Sequence, residues 1–309
     1  MIRQLPIIAA FGLGSAVLYS AVLGAGLLGI ILAYLAQLPL FLAGLSLGSK
    51  AAAIAGVIGV IALGALGGVW TGLVYGATTV IPVVILVALA LKSRTWSDGR
   101  VYWYPAGHLL RALAVLCAVM LVMIALALMV GADGFRTGVE TMIQGMAEAL
   151  TSATGQELPA QSTSGLADIL PGITSWSWML MATVNGLLAQ LMLRRMGRNL
   201  RPSPAMAEIA IPLTWCAAFG AAALLGMLLP ADFGYVLFNV AIILAYPVLF
   251  QGLSVVHAAF AQWNTPTAGY VVFYGVLALL SWLALGLIAV GLAEPIIKLR
   301  ERLARPKKS

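Results

Sequence analysis

Charge is scarce in this chain. Only 9% of its 309 residues are Asp, Glu, Lys or Arg, while 62% are hydrophobic; a soluble domain carries about 25% charged and about 45–50% apolar residues. A water-soluble fold cannot cover that much apolar surface with so few charges, and a disordered chain needs the opposite balance. Cysteine is equally sparse. Cys117 and Cys216 stand in long apolar runs without CxxC spacing, which excludes a disulfide-stapled scaffold and reads as two small buried hydrophobes. The two histidines, His108 and His257, have no Cys or carboxylate at ligand spacing, so no metal and no cofactor is expected. There is no Walker loop for ATP hydrolysis. The apolar runs also lack the deep ionisable groups usual in proton-coupled pumps, intramembrane aspartyl proteases and ion-selective pores. Enzyme activity is not expected.

What is present is a set of long uncharged runs. A bilayer core of about 30 Å takes about 20 residues of helix. Gln4–Ser49 holds 46 residues and Ala51–Leu91 holds 41, two spans each. Ala112–Ala132, Ile169–Leu193 and Ile209–Ala231 supply one span apiece. Phe233–Ala293, 61 residues, is interrupted by the turn-like Trp263-Asn264-Thr265-Pro266-Thr267 and makes two spans, or three if Pro247 separates half-helices. The expected fold is an all-α polytopic transmembrane helix bundle of about nine spans (8–10), one integral membrane domain over 1–309. Arg3 and the run after it resemble a secretory signal, but the run outlasts the roughly 7–15 apolar residues of a signal core, so a retained first helix is expected.

The net charge of +7 reports orientation rather than nucleic-acid binding, because the basic residues are few and clustered. Lys92, Arg94, Arg100 and Arg111 form one basic loop, and Arg194, Arg195, Arg198 and Arg201 the next. Between them, 133–168 carries five acids against Arg136 alone. Positive-inside logic puts the basic loops in the cytoplasm and the acidic segment outside. Within that segment Phe135, Val139, Met142, Ile143, Met146 and Leu150 recur at helical spacing, with Arg136 and Glu140 at i,i+4. This predicts an amphipathic helix that lies on the interface, caps the bundle or packs on the loops, followed by a Ser/Pro/Gly-containing linker over Leu158–Ser175. The basic end, 294–309, places Ile296, Ile297, Leu299 and Leu303 on one side and suits a cytoplasmic tail on anionic lipid. Its sidedness fits the span count only if a short, re-entrant or broken element lies near Pro247.

Polar and small residues inside the runs are the candidate sites. Gly64, Gly68, Gly72 and Gly76 fall four apart, and Gly44 and Gly48 repeat the spacing; such glycines pack helices closely or dock a partner. The 41-residue run has to turn near Gly67–Trp70. Asn185 and Gln190, five residues apart, diverge by roughly 140° on a helix, which suits separate interhelical hydrogen bonds better than one converging site. Asn239, Tyr246, Gln251 and His257 form a second polar series about Pro247. A broken helix with polar side chains can build a ligand site, and Gln251 can equally repair the kink. Trp103-Tyr104-Pro105 suits headgroup depth at the start of a span. Gly24, Gly26 and Gly29 spell GxGxxG, but inside an apolar run with no strand before it, so the match is accidental.

Several strings, taken in order, resemble a known family. Leu38-Pro39-Leu40-Phe41-Leu42-Ala43-Gly44 leads through Gly48 into an Ala-rich span, and Trp103-Tyr104-Pro105-Ala106-Gly107 opens another. Asn185-Gly186 runs to Arg198-Asn199-Leu200-Arg201-Pro202, Gln251-Gly252-Leu253-Ser254-Val255-Val256-His257 follows Pro247, and Gly291-Leu292 precedes the charged end. Together they resemble the uncharacterised bacterial YybS-like membrane proteins over nearly the whole chain. That family is distantly similar to the substrate-binding S-components of energy-coupling-factor vitamin transporters. The resemblance implies a bacterial plasma-membrane protein that captures a small molecule, with Gly12, Ser15 and Ala16 of the first helix docking a coupling subunit. The chain departs from the family tail, which favours Gly-x-x-Asp before a second acid and Arg: Glu294 and Lys298 precede Arg300 here.

Two functions fit. One is a capture subunit for a vitamin-like ligand without its own motor, with Asn185, Gln190, Asn239, Tyr246, Gln251 and His257 as candidate ligand contacts. The other is an intramembrane structural or scaffold partner in the bacterial cell envelope. The expected surroundings are the lipid bilayer and a coupling or envelope membrane subunit, with no nucleic acid.

Overall fold

The computed structural model describes residues 2–24, 26–131, 134–155 and 160–304. Helices account for nearly all of it. In chain order they are α1 (Leu5–Ser20), α2 (Gly26–Tyr34), α3 (Gln37–Leu47), α4 (Ser49–Gly67), α5 (Val69–Tyr75) and α6 (Ile81–Ala90), then α7 (Ala106–Gly131), α8 (Phe135–Thr154), α9 (Ala160–Arg195), α10 (Leu213–Leu228), α11 (Ala231–Gln262), α12 (Thr267–Leu279), α13 (Leu283–Ile297) and α14 (Leu299–Ala304). A small hairpin, β1 (Ser93–Thr95) with β2 (Val101–Trp103), joins α6 to α7. The protein is an all-α polytopic membrane bundle.

The nine expected spans resolve into three kinds of element. Among the described residues six helical stretches meet span length: 28–47, 49–67, 69–90, 106–129, 165–195 and 231–262. The α12–α13 pair reaches it only jointly and is bent by 113° at its break. The remaining two, α1 and α10, have 16 residues each. Two expectations are corrected. The helix runs unbroken through Pro247, and the break lies instead between Leu279 and Leu283. The linker expected over 158–175 is helical from Ala160 onward, Pro171 included, while Leu158 and Pro159 lie outside the described residues.

The chain divides into two compact units. The first comprises 1–109 and 178–204, the second 110–177 and 205–309, so α7 and α9 contribute to both. In the first unit α1 packs on α3 and α4, and α4 on α5 and α6. The turn between α4 and α5 sits at Gly68, as the glycine pattern required: φ is +87°, open to a residue without a side chain. Gly48 turns α3 into α4 in the same way, at φ +99°. Gly44 lies against Val87 and Ala52, Gly72 against Val60 and Gly64, and Gly76 near Val60. The stripe therefore serves helix packing and turns inside the unit. Gly12, Ser15 and Ala16, expected as a docking face for a partner, are buried within this unit, because α1 lies along α4 so closely that a Cβ on Gly12 would meet the Ala55 carbonyl.

In the second unit α11 is the central helix, packed on α10 and α13. Part of the acidic segment forms α8, which packs on α11. Phe135, Val139 and Ile143 are buried while Met142 and Met146 are exposed; Leu150 lies outside the side chains described. Asp232, in the first turn of α11, accepts the Phe135 and Arg136 N–H groups at 2.9 and 3.0 Å. It thereby satisfies donors that the start of a helix leaves free. Gly134 (φ +111°) leaves room for that carboxylate. Arg136 bonds Glu140 at 2.9 Å and Asp168 at 2.8 Å, and its hydrogen bond to Glu140 leads the causes that raise its pKa above the ordinary value.

Candidate functional site

Proline accounts for several of the polar side chains within the spans. A proline inside a helix offers no N–H to the carbonyl four residues earlier, and hydrocarbon supplies no water in its place. Pro171 leaves Ala167, whose carbonyl accepts the Tyr235 hydroxyl at 2.6 Å. Asn239 completes the repair by accepting the Gly172 N–H at 2.8 Å and donating to the Asp168 carbonyl at 3.1 Å. Pro295 leaves Gly291, which accepts Gln251 Nε2 at 2.7 Å, while Gln251 Oε1 accepts the Ile211 N–H. Thr78, four before Pro82, accepts Trp178 Nε1 at 3.0 Å. Around Pro247 the Ile242 and Leu244 carbonyls take the indoles of Trp176 and Trp215 at 2.5 and 3.0 Å. α11 is continuous through Pro247, where a break was expected.

Within each unit the expected ligand contacts do not converge. Tyr246 is buried, edge-on to Trp176 at 5.5 Å between ring centroids. His257 pairs through Nε2 with the Tyr274 hydroxyl at 2.8 Å, among the rings of Tyr270 and Tyr274. From Asn239 to His257 the series spans about 27 Å of α11 at 1.5 Å per residue. In the first unit Gln190 donates to the Arg201 carbonyl at 2.6 Å, and Asn185 donates to the Tyr34 carbonyl at 2.7 Å. The two amides have separate partners, as their divergence on the helix implied. Of the basic loop, Arg194, Arg195 and Arg198 are exposed. Arg201 instead is buried, donating to the Ala90 and Tyr104 carbonyls at 3.0 and 2.8 Å, and desolvation holds its pKa below the ordinary value.

One cluster remains chemically open, in the core of the first unit. The span 28–47 breaks between Tyr34 and Gln37, where Leu38 N–H bonds back to the Leu35 carbonyl. The shortened turn frees the Tyr34 carbonyl for Asn185, and the Ala36 carbonyl accepts the Ser15 hydroxyl, itself 2.7 Å from Tyr75 Oη. Gln37 follows directly. Its side chain is fully buried, and neither Nε2 nor Oε1 has a hydrogen-bond partner among the described residues. Asn185 Oδ1 is unpartnered as well. Phe41, one helical turn after Gln37, lies against Gly186 beside Asn185, so α3 and α9 are neighbours at this level. Gln37 thus offers a donor and an acceptor and Asn185 an acceptor, without formal charge, beside the paired Ser15 and Tyr75 hydroxyls.

Sequence reasoning passed over Gln37 and the Ser15–Tyr75 pair. The available signal was Gln two residues before Pro39 in the middle of a 46-residue uncharged run. It also passed over a half-buried ion pair. Glu294 accepts Arg300 Nε at 2.8 Å, and the Arg300 guanidinium also donates to the Ala207 and Ile209 carbonyls at 2.9 and 3.0 Å.

The family described as "Predicted membrane protein (DUF2232)" matches residues 15–294. No curated protein and no solved structure matches the chain.

Proposed function

From the premise that this chain belongs to the DUF2232 family of predicted membrane proteins, we propose that it is a membrane-embedded binding subunit for a small, uncharged polar molecule, without catalysis or a motor of its own. The observation that carries the reading is Gln37: 0% exposed, with both amide atoms unpartnered. A buried polar group left unpaired costs about 1–3 kcal/mol, and such groups call for an explanation in a ligand, ion or water. A ligand with a donor and an acceptor side by side, such as a cyclic amide or ureide, matches the Gln37 amide, and Asn185 Oδ1 is a further unpartnered acceptor of the same unit. The resemblance to vitamin-capturing S-components read in the sequence points the same way, and the proposal includes a setting in the bacterial plasma membrane beside a coupling subunit. The small residues that favoured a scaffold role are largely engaged by helices of the same chain, Gly44 on Val87 and Gly72 on Val60.

The test is thermal unfolding of the purified protein across a panel of uncharged vitamins, nucleobases and amides. A specific ligand raises the midpoint in proportion to the logarithm of its concentration above Kd. The expected result is a shift from a compound carrying adjacent donor and acceptor groups that is absent in Asn185→Leu. A panel without any such shift overturns the reading.

A further inference from the structure

The chain between α6 and α7, residues 91–105, makes the hairpin of β1 and β2, and nothing in the binding role above uses it. The hairpin is rooted at the ends of the two helices: Tyr104 N–H bonds the Lys92 carbonyl at 2.9 Å, and Arg201 bonds the Ala90 and Tyr104 carbonyls from inside. That second contact ties the loop after α9 to the hairpin's base. Together they gather six exposed cations at one end of the first unit: Lys92, Arg94, Arg100, Arg194, Arg195 and Arg198. Asp98, 3.6 Å from Arg100, is the acid on the hairpin. Trp96 and Tyr102 stand among these charges, 62% and 52% exposed, with ring centroids 6.1 Å apart.

We propose that this end of the first unit is a docking surface for anionic phospholipid headgroups. Cations alone suit any polyanion, but the exposed aromatic pair decides for lipid. Trp and Tyr settle at headgroup level, where one edge of the ring is apolar and the other wet. The hairpin starts within three residues of the end of a span-length helix, so its rings and charges lie beside the membrane surface. Each Lys or Arg held near an anionic surface adds about 1 kcal/mol, a factor of about five in affinity.

The test uses the full chain carrying Ser97→Cys, labelled with an environment-sensitive fluorophore at the exposed hairpin turn; the native cysteines are buried. The protein is placed in nanodiscs of phosphatidylcholine mixed with phosphatidylglycerol, with one lipid or the other brominated as the quencher. The expected result is quenching several-fold stronger from brominated phosphatidylglycerol, abolished by high salt and by R94Q/R100Q/R195Q/R198Q. The charge-preserving R94K/R100K/R195K/R198K variant keeps the preference. Equal quenching by the two lipids overturns the proposal, as does a preference that survives charge removal. A label that responds to soluble polyglutamate but not to phosphatidylglycerol also overturns it, in favour of an anionic protein partner.

Discussion

Gln251 Nε2 donates to the Gly291 carbonyl at 2.7 Å, and Gly291 is the residue four before Pro295. The amide of α11 thus supplies to α13 the hydrogen bond that proline withholds. Tyr235 stands in the same relation to Ala167 and Pro171, and Trp178 to Thr78 and Pro82. In each case the donor is a side chain distant in sequence, so at these three prolines the repair is also a tie between helices. In water such a carbonyl would be solvated and the tie would gain little. Hydrocarbon makes it compulsory.

The tie can be measured by a double-mutant cycle on Gln251 and Pro295. Gln251→Leu strands the Gly291 carbonyl and the Ile211 N–H, and is expected to cost about 2–5 kcal/mol. Pro295→Ala returns an N–H to α13, so the Gly291 carbonyl regains a partner within its own helix. The double variant is then expected to lose less than the two single losses combined, by about 1–2 kcal/mol. Denaturant unfolding in detergent measures all three. Strict additivity contradicts the pairing.

Asp232 carries a separate prediction, because its two bonds are to the first N–H groups of α8 rather than to a span. Asp232→Ala is expected to cost about 1–2 kcal/mol and to act locally. Amide exchange accelerates over 135–140 while α11 keeps its protection. Exchange that accelerates equally along α11 shows instead that the carboxylate supports the central helix.

The spans were readable because bilayer thickness writes itself into run length, and the turn at Gly68 because glycine marks a backbone that other residues avoid. The polar residues were readable as polar but not as partners. Gln251 lies one turn beyond Pro247, which invited pairing the two, yet its bond goes to a helix forty residues away. Partner choice is set by which helix faces which, and in lipid the apolar faces look alike from the sequence. Gln37 was hidden for a related reason: a lone amide in a 46-residue run gives no periodicity, and only the break at Leu35 and Ala36 gives it meaning. The buried state of Arg201 was also out of reach, since its partners are backbone carbonyls, which every sequence supplies.

Arg201 gives a prediction that separates geometry from charge. Its guanidinium reaches two carbonyls, Ala90 and Tyr104, at once. Lysine keeps the charge but presents a single ammonium that does not span both. Arg201→Lys is therefore expected to lose about 1–3 kcal/mol and to loosen the hairpin, so that trypsin cuts faster after Arg94 and Arg100. Unchanged cleavage in the lysine variant means that charge alone holds this loop.

The sharpest prediction concerns the sign of an effect. A buried amide engaged in structure is stabilising, so its removal destabilises. Gln37 has no partner for either amide atom among the described residues. Leucine, similar in size and apolar, removes the desolvation cost without opening a large cavity. Gln37→Leu is accordingly expected to stabilise the ligand-free protein by about 1–3 kcal/mol, while abolishing any midpoint shift produced by the uncharged ligand panel. Stability and binding move in opposite directions, as at a site that gives up stability for function. Thermal unfolding of wild type and variant, each with and without the shifting compound, reads both quantities together. A destabilised Gln37→Leu protein means that the amide already has a partner in the folded chain, and the binding site loses the observation on which it stands.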